Sequence, residues 1–386
     1  MSALGLRRLP FVEPAADEPR SVDVWVLAPT LALVGLGLAM VFSASIPLAA
    51  TPNSDMLRYL KRDAAYVAVG LLAMWGATRL SLLWLRDHAW HLFVAAVIAL
   101  AGLFVAGTRV NGSLSWYIFF GQSFQPSEMA KVVVVIAAAT YFAHFPDGLS
   151  ALREVRPPFA MLAIIVLLIA AEPDMGTAAV IVMAMFVLFH LAGMRFRYLL
   201  AAAAVGAMGA AAMFHIHPYQ WARIKNFYFP PPDAALGAGY QKARALIALG
   251  SGGWFGRGYC ESVEKYFYLP AATTDSILPV VGEELGLLAT WAVVALFAIL
   301  VWRGMLIAGR CPDRFSGLVA GGVACFLGIQ AMINMAVSTG CIPPTGVPLP
   351  LVSYGGSSLL FSLIGIGLLL NVSRLVPRRR PALRAV

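Results

Sequence analysis

Charge is what this chain has least of: Asp, Glu, Lys and Arg together make up 12% of its 386 residues, against roughly 25% in soluble domains. An ordinary water-soluble globule is thereby excluded. Cysteine is nearly absent as well, and Cys260, Cys311, Cys325 and Cys341 share no CxxC spacing, which argues against a metal knuckle. Cys260 and Cys341 both fall in loops expected on the same side of a membrane, so a pairing between them stays open at this point. The glycine-rich stretch GYQKARALIALGSGGWFGRG (239–258) has no Gly-Lys-Ser/Thr after it, so a nucleotide P-loop is not supported. The sequence holds no internal repeat, no low-complexity linker and no soluble domain appended to its apolar runs.

What is abundant is apolar length. Hydrophobic residues make up 60% of the chain and the mean hydropathy is +0.79. A membrane-spanning helix needs about 20 predominantly apolar residues, and runs of that kind fall near 24–45, 64–82, 91–106, 126–143, 158–171, 175–193, 197–215, 276–302, 315–338 and 354–372. The expected fold is all-α: a polytopic membrane protein of about ten spans. The first run is long enough to span and shows no separate cleavage site, so it is read as a retained helix. Arg79 and Arg86, Arg153 and Arg156, Arg195 and Arg197, and Arg303, Arg310 and Arg314 occupy alternate loops, while the opposite short loops hold only Arg58, Lys61, Arg62 and Arg109. By the positive-inside rule both termini are cytoplasmic. The expected organisation is a cytoplasmic segment 1–23, a membrane domain 24–372 and a basic tail 373–386. The net charge of +9 is then mainly a topology signal and not a nucleic-acid footprint, although Arg378 to Arg380 could meet anionic lipid headgroups.

One segment, 216–274, has no spanning run and lies on the outer side. Loops longer than about 15 residues in compact domains are usually functional or disordered. This one carries Arg223, Lys225, Lys242, Arg244, Arg257 and Lys265 and many aromatic residues, among them Trp221, Phe227, Trp254 and Tyr266, enough to fold against the membrane interface. Within it, Ala243, Leu246, Ile247 and Leu249 predict a short amphipathic helix ending at Gly250, re-entrant or interfacial.

Ionisable residues within spans are candidate functional sites. Glu128 and Lys131 sit three apart in PSEMAK, on one helix face, either as a self-neutralising pair or in contact with substrate. Glu283 and Glu284 follow Ser276 by about 10–12 Å along a helix and point about 100° apart. They need cationic or amide partners, for which Lys131, Gln330 and Asn334 are the intramembrane candidates, and they serve as a helix cross-link or as a substrate contact. Asp275, in TTDSIL, is either a helix cap or a general base beside a basic, aromatic loop at the outer face. Trp116, in NGSLSW, reads as an interfacial belt residue. The uncharged, Pro- and Gly-dense stretch 338–358 reads as irregular backbone buried in protein or lining a cavity.

Several blocks in order, NGSLSW with QPSEMAK, EPDMGTA, PYQWARI, GAGYQKARALIALGSGGWFGRG, YLPAATTDSILPVVGEELG and PPTGVPLPLVSYGGSS, resemble the signature blocks of the SEDS family (shape, elongation, division and sporulation). GYCESVEKYFYLPAATTDSI is more similar to the division and sporulation branches than to the elongation branch. The resemblance implies a peptidoglycan glycosyltransferase that polymerises lipid II onto a lipid-linked glycan strand at the outer face of the cytoplasmic membrane. It also implies a class B penicillin-binding transpeptidase (FtsI-like) and other division membrane proteins as partners. It places the essential acid on Asp275, the motif Trp on Trp116 and the motif Lys on Lys131. Arg223, Lys225 and Lys242 join Lys131 as cations for the diphosphate, and Glu128, Glu283, Glu284 and Asn334 form a polar framework. Two departures stand out: Leu114 and Ser115 replace the family's Arg residues before the Trp, and Pro-Glu-Ala-His-Thr-Asp becomes Pro270-Ala271-Ala272-Thr273-Thr274-Asp275. No cofactor is expected, and a divalent cation on the diphosphate is left open because no His or Cys cluster marks a site for one. The rival readings are a lipid II flippase and a non-catalytic scaffold that activates a transpeptidase.

Overall fold

A computed structural model describes residues 22–49, 58–110, 113–119, 122–146, 148–149, 151–216, 221, 225, 227–229 and 238–377. The N-terminal segment before residue 22, Arg223 and the arginine-rich tail from residue 378 lie outside the described residues. Eleven helices are described: α1 (Val24–Ala49), α2 (Arg58–Ala77), α3 (Leu82–Ala106), α4 (Pro126–Phe142), α5 (Leu152–Ala171), α6 (Met175–Leu191), α7 (Phe196–Ile216), α8 (Ala238–Ser251), α9 (Ile277–Arg310), α10 (Arg314–Ser338) and α11 (Gly356–Ser373). Among them α1, α3, α5, α9, α10 and α11 are long and apolar enough to cross a membrane, and α6 and the first part of α7 are apolar but shorter.

The all-α expectation needs one correction. Thr108–Val110, Ser113–Phe119 and Gln122–Phe124 form a three-stranded antiparallel meander, β1-β2-β3, between α3 and α4. Its physical basis is local: β2 alternates small polar Ser113 and Ser115 with Leu114 and Trp116, a period of two that suits a strand, in a stretch too short and polar for a span.

α10 is the central column. Every residue from Phe315 to Leu327 is buried, and the helix packs against α4, α6, α9 and α11. Its small residues permit this: a side chain on Gly317 would meet the Ala308 carbonyl at 2.9 Å and one on Gly322 would meet Val135 at 2.4 Å. Close backbone approach through small residues is how membrane helices associate without a hydrophobic driving force. By contrast Val94, Ile98 and Val105 on α3, and Leu288, Trp291 and Trp302 on α9, are exposed, as lipid-facing side chains are.

α9 is broken at Gly286, where φ is 84° and ψ is −177°. A helix break orphans backbone groups on both sides, and the loop after α8 pairs them. Arg257 and Gly258 N–H donate to the Glu283 and Glu284 carbonyls at 2.9 and 3.0 Å, while Leu287 and Leu288 N–H donate to the Gly253 and Trp254 carbonyls at 2.9 and 3.3 Å. Only glycine adopts this backbone region readily, and a Cβ here would lie 2.4 Å from the Gly256 nitrogen. Gly286→Ala is therefore expected to lower stability by at least about 1–3 kcal/mol, read as a lower unfolding midpoint in detergent; an unchanged midpoint contradicts the account.

Candidate active site

Asp275 sits in the last turn before α9 and is half-buried. The helix cap is not Asp275 but Ser276, which makes no side-chain capping bond; the capping role weighed for Thr274 or Asp275 is thus corrected. Asp275 and Ser276 instead line a small cleft with Gln241, Lys242 and Ala245 of α8, Phe227, Val337 and Ser338 at the end of α10, and Pro344.

The backbone around Asp275 is fastened from two elements. Asn334 on α10 donates through Nδ2 to the Asp275 carbonyl at 2.8 Å and to the Val347 carbonyl at 2.9 Å. The Ser353 hydroxyl donates to the Thr274 carbonyl at 2.6 Å, and the Tyr354 N–H donates to the Thr273 carbonyl at 2.9 Å. Next to it, Gln241 Nε2 donates to the Ser276 hydroxyl at 3.1 Å, tying α8 to the start of α9. Ser338 ends α10 and Gly356–Ser358 open α11, while residues 339–355 of the stretch 338–358 are irregular backbone bonded into the site. Gly346 belongs to it, and a Cβ there would stand 3.9 Å from Asp275 Oδ2. Lys242 Nζ lies 4.3 Å from the centroid of the Phe227 ring, a cation–π contact that holds the charge beside the cleft.

The other expected residues are distributed around this cleft. Lys131 and Glu128 are both buried and paired at 2.7 Å, and Lys131 Nζ also donates to Gln330 Oε1 at 2.6 Å. Gln330 Nε2 in turn donates to the Pro348 carbonyl at 3.0 Å, so this group braces the loop behind Asp275. Lys225 is exposed and does not line the cleft. Trp116 is half-buried on β2, also away from the cleft lining.

The partners expected for Glu283 and Glu284 are corrected: neither Lys131, Gln330 nor Asn334 reaches them. Glu284 pairs with Lys265 at 2.8 Å, both side chains fully buried. The Ser43 hydroxyl of α1 donates to Glu284 at 2.6 Å, and the Cys260 N–H donates to it at 3.0 Å. Glu283 accepts from the Ser262 hydroxyl at 2.6 Å and from the Val263 N–H at 3.0 Å, with Arg257 at 3.5 Å. Their divergence of about 100° explains why one carboxylate reaches α1 while the other serves only the loop. Lys265 was the residue missed, because nothing in a loop lysine 19 positions upstream signals a buried partner. All four cysteines are free thiols, which settles the Cys260–Cys341 pairing left open above.

Glu172, in the turn between α5 and α6, is a second feature that spacing did not reveal. Its carbonyl accepts from the Ser113 hydroxyl at 2.7 Å and the Leu114 N–H at 3.3 Å, fastening β2 to the turn. Its carboxyl is fully buried, and neither oxygen has a hydrogen-bond partner among the described residues. Burial, and then the neighbouring Asp174 charge, push its pKa up from 4.5 to about 8. A carboxyl raised in the native state stabilises it below the ordinary value, and that stability is lost as pH climbs toward the raised one. The unfolding temperature is expected to fall between about pH 4.5 and 8, and Glu172→Gln to flatten that slope in a thermal-denaturation series. Equal slopes in both proteins contradict this.

Residues 24–377 match the cell cycle protein family that groups FtsW, RodA and SpoVE. The chain belongs to this family. It is 37% identical over 358 residues to a probable peptidoglycan glycosyltransferase FtsW of Methylococcus capsulatus, covering 91% of this chain and 89% of that one. It is 35% identical to the stage V sporulation protein E of Bacillus subtilis, covering 92% and 97% of the two chains. Among solved structures, a chain from "Structural coordination of polymerization and crosslinking by a peptidoglycan synthase complex" superimposes with a TM-score of 0.75 at 27% identity, covering 92% of this chain and 98% of that one. The rod shape determining protein RodA of Thermus thermophilus gives a TM-score of 0.68 at 27% identity, covering 92% and 97%. The family's helical membrane architecture is therefore that of this chain.

Proposed function

We propose that this protein is a peptidoglycan glycosyltransferase that polymerises lipid II into β-1,4 glycan strands at the outer face of the cytoplasmic membrane, for septal wall synthesis during cell division. The observation that carries the reading is Asp275, held by Asn334 in a cleft it shares with Lys242, in a chain whose relatives bear that enzyme name. Asp275 takes the proton from the 4-hydroxyl of an incoming N-acetylglucosamine as the oxygen attacks the anomeric carbon of the lipid-linked strand. The bond to the diphosphate breaks and configuration inverts. Lys242, the cation that lines the cleft among the described residues, stabilises the departing anion. Lys131 serves one layer below, where its charge is met by Glu128. A divalent cation would act as a Lewis acid on the diphosphate. The described residues hold no group of three or more His, Cys, Asp or Glu arranged for a metal ion, so no step is assigned to one.

Ten spans with both termini in the cytoplasm fit this reading. Asp23, just before α1, pairs with Arg303 of α9 at 2.9 Å. Ser43, with its Glu284 bond, lies about 30 Å further along α1 at 1.5 Å per residue, the thickness of the hydrocarbon core. That supports the ion pair at the inner boundary and the Glu284 cluster near the outer one, below the Asp275 cleft. A class B transpeptidase is the proposed partner.

The test uses purified protein in liposomes with labelled lipid II, with and without the transpeptidase. Glycan polymer resolved on a gel is the expected product; lipid II translocated without polymer supports the flippase instead, and neither outcome leaves the scaffold.

A further inference from the structure

Ser338, the last residue of α10, lines the cleft with Asp275 and Lys242, yet it has no role in the reaction as derived. It is 2% exposed, and its hydroxyl has no hydrogen-bond partner among the described residues. A buried hydroxyl left in that state carries an uncompensated desolvation cost. A serine or threonine in a helix ordinarily avoids the cost by donating to the carbonyl four residues back. Thr30, Thr140 and the adjacent Thr339 do so at 2.7, 2.9 and 2.9 Å. Ser338 does not, nor does it reach the Asn334 carboxamide oxygen, which is itself without a partner among the described residues. Elsewhere in the cleft Gln241 and Ser276 are bonded to each other, and Lys242 Nζ rests over the Phe227 ring. Ser338 is thus the buried hydroxyl of the lining that is left open.

Its place beside Asp275 is set by α10. Residues four apart lie on one helix face, and Asn334, one turn earlier, holds the Asp275 carbonyl at 2.8 Å. Ser338 therefore stands about 6 Å further along that face, on the outer side of the fastening in the proposed topology. Two residues on, Gly340 has a φ of 69°, and a Cβ there would lie 2.9 Å from Lys242 Cε. The stem of Lys242 so lies across the end of α10. Turning that stem to another rotamer uncovers the cleft without disturbing the helix that carries Ser338.

The chemistry of the group selects what it meets. A serine hydroxyl is uncharged and offers one donor and two acceptor positions, which suits the hydroxyl or acetamido group of an amino sugar. A diphosphate is served better by a full positive charge, and Lys242 supplies one in the same cleft. We propose that Ser338 is a substrate-binding residue that hydrogen-bonds the amino sugar next to the hydroxyl presented to Asp275. This rests on the polymerase reading and adds to it the side chain that recognises the saccharide instead of its diphosphate.

The experiment reads binding, separately from turnover. Labelled lipid II is titrated against the Asp275→Asn protein, with and without Ser338→Ala, a change that removes a single oxygen. The alanine is expected to weaken binding by about three- to tenfold, the net worth of one neutral hydrogen bond. Its unfolding midpoint in detergent should be unchanged or higher, because no internal bond is lost. A lower midpoint, or a variant that fails to fold, shows that the hydroxyl has a partner inside the protein and overturns the site. Undecaprenyl diphosphate, which lacks the sugars, should bind both proteins alike; an equal loss for it overturns the saccharide assignment. Equal affinities for lipid II, or no binding to either protein, overturn the proposal even where the wild type makes polymer. Absence of polymer from the wild type counts against the polymerase reading and leaves the binding result to stand separately.

Discussion

Replacing Asp275 with Asn is expected to reduce strand synthesis by about 100- to 10,000-fold, the range lost when a positioned general base is removed, while the protein stays folded in the membrane. The two halves of this expectation come from different atoms. The fold uses the backbone: Asn334 holds the Asp275 carbonyl, and Ser353 and Tyr354 hold the two carbonyls before it. An amide of the same shape leaves those bonds intact. What it cannot do is accept the hydroxyl proton, so the loss falls on turnover. Labelled lipid II and a gel measure it in the presence of the transpeptidase; a normal ladder from the variant would falsify the assignment of Asp275 as the base.

The second large effect concerns stability. Lys265→Met leaves Glu284, itself fully buried, without its cation. Removing one member of a buried pair typically costs about 3–5 kcal/mol, because the remaining charge stays in a poor solvent. Ser43 and the Cys260 N–H still donate to Glu284, which places the expectation toward the lower end. Making Glu284→Gln in the same protein removes the stranded charge, so the double variant should recover most of the loss. Unfolding midpoints of the three proteins in one detergent decide it. A single variant as stable as the wild type contradicts the burial argument, and a double variant no better than the single one contradicts its electrostatic cause.

The helices were legible in the sequence because apolar length is a local property, and six of those described are long and apolar enough to cross a membrane. The run 126–143 became α4, Pro126–Phe142, and the run 315–338 became α10, Arg314–Ser338. Boundaries failed where polar residues ride on a helix. α3 begins at Leu82, not near 91, because Ser81 caps it by accepting from the Trp84 N–H at 3.3 Å, and Arg86, Asp87 and His88 hid that first part from a search for apolar runs. The site was legible only in part. Asp275 stood out by resemblance, since an aspartate at a helix mouth has an ordinary capping role that spacing alone does not exclude. The need of Glu283 and Glu284 for partners followed from burial, but their identity did not: Ser43 lies 241 positions from Glu284, and no local pattern encodes such a meeting. The Glu172 carboxyl escaped for the same reason, being defined by what three-dimensional packing withholds from it.

The break in α9 has a consequence for how the molecule is made. Chain order puts residues 252–258 ahead of the helix whose severed ends they join. During synthesis from the N-terminus, that loop emerges before anything exists for it to mend. Neither piece can complete its backbone pairing in a nonpolar medium alone, so the two must settle together after Leu288 has been made. Epitope tags or labels placed within 252–258 should therefore be far more damaging than their surface position suggests, since they would interrupt a single co-assembled unit and not a dispensable connection.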